Sequence, residues 1–109
     1  MATFVQDGRY VDYTPASAVA AGAVVVQVDL VGVAVRDIPA NTLGVLAVEG
    51  VFTFPKATGA STGIAVGTTV YWASGTQLAT ATATSNKLIG KVVKTAADAD
   101  ATVLVKLFQ

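Results

Sequence analysis

The stretch that decides the fold is Leu43-Gly44-Val45-Leu46-Ala47-Val48-Glu49-Gly50-Val51-Phe52-Thr53-Phe54-Pro55-Lys56. It carries the clearest strand signal in the chain, because β-branched and aromatic residues suit a pleated, half-buried surface. From Val48 onward the residues alternate. Val48, Gly50, Phe52 and Phe54 share one face, and Glu49, Val51 and Thr53 share the other. The pattern predicts one strand from Leu43 to Phe54, with Phe52 and Phe54 in the core. Gly50 is expected to mark a bulge or a close backbone approach. Pro55 stops the strand.

The same signals recur on both sides of this stretch. Upstream, Thr3 to Gln6 and Arg9 to Tyr13 read as strands divided by the tight-turn dipeptide Asp7-Gly8. Ala16 to Ala21 reads as a short helical turn or a loop. Ala23 to Val28 and Val31 to Val35 form a strand pair around Asp29-Leu30. Downstream, Lys56 to Thr68 reads as a loop. Thr69 to Ala73 is a strand carrying Tyr71 and Trp72, whose rings must face opposite ways, one into the core and one outward. Gln77 to Thr84 alternates Thr and Ala and suits a half-exposed strand. Leu88 to Thr95 and Ala101 to Phe108 close the series, with Val103, Val105 and Leu107 on one face. Helical periodicity is weak throughout. About eight short, mostly antiparallel strands point to an all-β domain spanning residues 1–109, built as a small β-barrel or β-sandwich.

Composition narrows the function. The 109 residues hold seven Lys+Arg and seven Asp+Glu, and no His or Cys. Without Cys there is no disulfide framework, thiol nucleophile or zinc ribbon. Without His, the side chain best suited to proton transfer near neutral pH is missing. A net charge of zero with no basic block argues against a phosphate-tracking nucleic-acid binder. Only 13% of residues are charged and 53% are hydrophobic, so ionised groups cannot cover the outside of the molecule. Such a surface invites association with other protein. Ala16 to Val35 has nearly the length of a membrane span, but Gln27, Asp29, Gly22 and Gly32 interrupt it. A central Asp costs about 2.5–3.5 kcal/mol on insertion scales. The first fifteen residues, with Asp7, Arg9 and Asp12, lack the apolar run of a secretory signal. The expected chain is made in the cytoplasm and has no membrane anchor.

Catalytic templates fail on spacing. Gly90-Lys91 is followed by Val92, with Ser85 where a phosphate loop needs its first Gly. No Gly-x-Gly occurs, so a dinucleotide fingerprint is absent. Ser17, Ser61, Ser74 and Ser85 have no Lys three positions on. Asp98-Ala99-Asp100-Ala101-Thr102 begins like a calcium loop, but the positions for its Gly and Glu hold Val103 and Gln109. It reads instead as a polar turn. Glu49 has no second carboxylate matched to it, and it reads as solvated or paired with a cross-strand Lys. Lys91 and Lys94 should point to opposite faces of one strand, and with Lys87 they read as guards against edge pairing. No catalytic, cofactor-binding or metal-binding residue emerges.

Val48-Glu49-Gly50-Val51-Phe52-Thr53-Phe54-Pro55-Lys56 resembles the "(hydrophobic)-x-G-V-F-x-x-P-K" signature of a small bacteriophage family of capsid cement, or decoration, proteins. That family was formerly a domain of unknown function. Other pieces resemble it in the same order: Gly32-Val33-Ala34-Val35 with Asp37-Ile38, and Gly67 with Val70-Tyr71-Trp72. Leu88-Ile89-Gly90 follows, then Asp100-Ala101-Thr102-Val103 with Lys106-Leu107. The chain departs from the pattern at Thr68 and at Ala73-Ser74, where relatives commonly carry acids. Some relatives carry a recombinase label, against which the missing phosphate loop argues.

The resemblance implies a non-enzymatic virion protein that binds the outside of an icosahedral head and stabilises the shell. Its implied partners are the major capsid protein and further copies of itself, as a trimer or a dimer, with no cofactor, nucleic acid or membrane. On that reading Phe52, Phe54, Trp72, Val103, Val105 and Leu107 build the core. Residues 1–15 form a candidate contact arm. Phe4, Tyr10 and Tyr13 on that arm, together with Tyr71, are the candidate interface. The rival readings are another head–neck or tail assembly component, and a DNA-processing accessory factor.

Overall fold

Alternation of branched and polar residues produces strands wherever a partner can satisfy the backbone, and here it does so along most of the chain. A computed structural model describes residues 2–3 and 9–107. Among these, nine strands occur and no helix. They are β1 (Tyr10–Tyr13), β2 (Val24–Gln27), β3 (Leu30–Ala34), β4 (Gly44–Ala47), β5 (Gly50–Pro55), β6 (Thr69–Ala73), β7 (Leu78–Thr80), β8 (Lys87–Lys94) and β9 (Thr102–Leu107). They form two antiparallel sheets, ordered β1-β4-β3-β2 and β5-β9-β8-β6-β7. The second sheet curls until Lys56, just past β5, meets Ala79 of β7 in a single parallel bridge. It does not close into a barrel, and the fold is sandwich-like. The expected strand Thr3 to Gln6, the turn Asp7-Gly8, Phe4 and Phe108 lie wholly or partly outside the described residues.

The deciding stretch folds differently from its expected single strand. Leu43 to Phe54 is two strands in two sheets. β4 ends at Ala47, Val48 still donates its N–H to the Arg9 carbonyl at 2.9 Å, and β5 starts at Gly50. Gly50 is neither a bulge nor a tight approach. Its φ of +117° turns the chain from one sheet into the other, a conformation that an L side chain resists. Alternation persists through the corner because both strands alternate.

Three further differences have local causes. Gln27 pairs with Leu30, so the β2–β3 turn is Val28-Asp29 and not Asp29-Leu30. Val28 adopts φ +58°, as the first position of such a tight hairpin requires. The Thr/Ala strand is only Leu78–Thr80, not Gln77 to Thr84. Beyond it, Thr82 donates its N–H to Thr80 Oγ1, and Asn86 donates to the Thr82 and Ala83 carbonyls, so local bonds replace the ladder. Finally, β8 contains two irregularities. Ile89 is extra against β6, and Val93 is extra against β9.

The larger core cluster lies between the sheets. Phe54, Val70, Trp72, Ile89, Val92, Val103, Val105 and Leu107 come from the second sheet, and Val31 and Val33 from the first. Trp72 meets Phe54 edge-on, with ring centroids 6.0 Å apart at 63°. Phe52 is half-buried and packs against the same cluster. Ala34, Ile38 and Leu46 form a second cluster with Val11, Tyr13, Val19 and Val25. β3 feeds both clusters, which is why its middle is buried on both faces. The accessible surface is 6556 Å², against roughly 5,600 Å² expected of a compact monomer of this mass.

Candidate interaction surface

The loop after β5 is held by a buried cation. Lys56 is 4% exposed. Its ammonium has three N–H donors. They reach the carbonyls of Ala57 at 2.7 Å, Asp100 at 2.8 Å and Ala97 at 3.1 Å. Asp98 ties the same loop through its carboxylate. Its Oδ1 accepts from the Gly63 N–H at 2.7 Å and its Oδ2 from the Ser61 N–H at 3.3 Å. Thr62 Oγ1 donates to the Asp98 carbonyl at 2.9 Å, and Asp100 Oδ2 accepts from the Ala97 N–H at 2.9 Å. The two aspartates therefore bind backbone, as the polar-turn reading expects. Sequence reasoning missed the buried lysine, since a Lys after a strand ordinarily reads as exposed.

The remaining polar chemistry is sparse. Among the described residues no three His, Cys, Asp or Glu side chains gather where they could hold a metal. Among the described residues no buried side-chain N or O lacks a hydrogen-bond partner. An open groove of about 440 Å³ runs beside Lys56, Thr62, Ile64, Leu78, Ala79 and Asn86. It contains no carboxylate, and its one ionised group is already bonded to three carbonyls. Glu49 is exposed, at a small depression shared with Arg9, Tyr10, Gly50 and Lys106. No described helix is long and apolar enough to cross a membrane.

Surface is what the fold builds instead. The outer face of the second sheet carries two cross-strand rows. One row runs Val51, Lys106, Lys91 and Thr69, and the other Thr53, Leu104 and Lys94. The extra residue Val93 puts Lys91 and Lys94 on the same face, against the expectation of opposite faces. Lys91 Nζ donates to Thr69 Oγ1 at 3.2 Å. Val51 is 53% exposed and Val93 43%. Tyr71 is half-buried, turned away from the buried Trp72 and so toward this outer face. Tyr10 and Tyr13 sit elsewhere, on edge strand β1 of the first sheet. Tyr10 is 49% exposed, while Tyr13 packs against the second cluster. Four of the five candidate contact positions from Arg9 to Tyr13 are thus strand residues paired to β4.

A family model described as phage cement protein matches residues 5–107. The chain belongs to the phage cement protein family. The match spans both sheets, including the Val48–Lys56 corner and the Lys56 loop. A cement protein is a structural protein associated with the phage capsid. No curated protein and no solved structure matches the chain.

Proposed function

We propose that this cement protein binds the outer surface of an icosahedral phage head, bridges neighbouring major capsid proteins and stabilises the shell. It acts without catalysis and without a cofactor, as a homo-oligomer: a trimer, with a dimer as the alternative. It is made in the host cytoplasm and ends on the virion. The observation that carries this reading is the family match along residues 5–107. The charge-poor composition supports it.

The mechanism is mass action. A ligand that binds the assembled shell and not its separated subunits stabilises the shell, by about 2.7 kcal/mol per site at a hundredfold excess over Kd. Symmetric copies repeat that contribution over the head. Heating shells with and without the protein tests the proposal. A higher disruption temperature with the protein bound is expected, and equal temperatures would refute it.

A further inference from the structure

The charges of this neutral chain are unevenly divided between its strands and its loops, although Glu49 borders Lys106 and Asp100 borders Lys94 at the rim of the second sheet. Strands β5 to β9 contain four lysines, Lys87, Lys91, Lys94 and Lys106, and no Asp or Glu. That leaves three cations against seven carboxylates in the rest of the chain. Lys87 is neutralised by Asp29 at 2.7 Å. The other three are exposed on the outer face and have no ion pair among the described residues. Lys91 and Lys106 stand directly opposite each other. Like charges in that arrangement destabilise a sheet, so the fold tolerates a local cost there. The core and the first sheet lie against the inner face of this sheet, through Val31 and Val33. Nothing in the described chain covers the outer one.

We propose that this face, Lys91, Lys94 and Lys106 with Val51, Leu104 and Tyr71, is the surface that docks on the shell, and that the docking site is an acidic protein surface with apolar patches. The inference rests on the capsid role proposed above and adds the chemistry of the contact. Charge complementarity selects the sign of the partner, since an acidic surface relieves the Lys91–Lys106 repulsion and a basic one adds to it. Val51, Val93 and Leu104 between the lysines favour protein over nucleic acid, whose phosphates call for an uninterrupted cationic track and a basic chain. A second copy is a poorer fit. Pairing this face with the same face of another copy would set lysine against lysine.

The test compares the full chain with the triple variant Lys91→Gln, Lys94→Gln, Lys106→Gln. Each is titrated onto shells purified from phage lacking the protein, at about 0.1 M and about 1 M salt, where the Debye length falls from about 10 to about 3 Å. Wild-type binding should weaken with salt. The triple variant should bind roughly tenfold more weakly at low salt and lose most of the salt dependence. Arg36→Gln, an exposed charge next to the first sheet, should bind as wild type. Unaltered binding by a folded triple variant overturns this inference and leaves the capsid role standing. Failure of the wild type to bind shells overturns both. Lysine-dependent binding to duplex DNA, or salt-sensitive self-association abolished in the triple variant, would also overturn it.

Discussion

Replacing Lys56 by Met is the sharpest test of how the loop after β5 is held. Met keeps most of the buried stem and removes the ammonium. Three bonds disappear, at 2.7, 2.8 and 3.1 Å, each from a charged donor to a backbone carbonyl. Hydrogen bonds to charged groups contribute about 1.5–3 kcal/mol each. Two effects reduce the sum. Met avoids the several kcal/mol that burial of an ammonium costs. The three carbonyls also belong to exposed residues, Ala57, Ala97 and Asp100, and can recover water. The expected net loss is about 2–4 kcal/mol, or about 10–20 °C in melting temperature for a domain of this size. The single tryptophan, Trp72, is 3% exposed beside Phe54 and reports unfolding by fluorescence. Lys56→Arg should fall between wild type and Met, because a planar fork cannot aim three donors at three separate carbonyls. A loss below about 0.5 kcal/mol for Lys56→Met would show that the desolvation cost cancels the bonds, and would refute the role given to this lysine.

Two other substitutions probe the backbone. Gly63→Ala places a methyl 2.8 Å from Asp98 Oδ1 and 3.1 Å from the Ala96 carbonyl, so either the loop or the carboxylate must shift. A destabilisation of about 1–3 kcal/mol is expected in chemical denaturation, and a neutral result would mean that Asp98 does not clamp the loop. Val28 is β-branched, 82% exposed and held at φ +58°, so Val28→Asn loses little packing and relieves left-handed strain. It should stabilise by about 0.5–1 kcal/mol in the same assay, and a loss of stability would refute the strain.

Much of the architecture was legible because it is written in short-range alternation. Val103, Val105 and Leu107 share a face in the sequence, and all three are buried. The Tyr71-Trp72 dipeptide separates into a buried ring and a half-buried one for the same reason. Alternation is silent where the chain changes partners. Leu43 to Phe54 keeps its pattern across the Val48-Glu49 corner, and only the glycine at position 50 hints that the chain leaves one sheet for the other. The Thr/Ala run after Gln77 has a strand pattern without a ladder to continue it, since pairing with β6 ends at Tyr71↔Thr80.

The sequence by itself determined an all-β chain, its lack of thiol and imidazole chemistry, and the inward face of the last strand, because these depend on residue type and a two-residue period. Only the tertiary structure decided that three lysines share one outer face. One extra residue in β8 changes which side Lys94 takes, and the registry with β9 brings Lys106 opposite Lys91. It also decided that Lys56 is buried, since two of its three carbonyl partners lie 41 and 44 residues away. Contacts across such separations exist only once the sheets have curled and packed, so no local pattern encodes them.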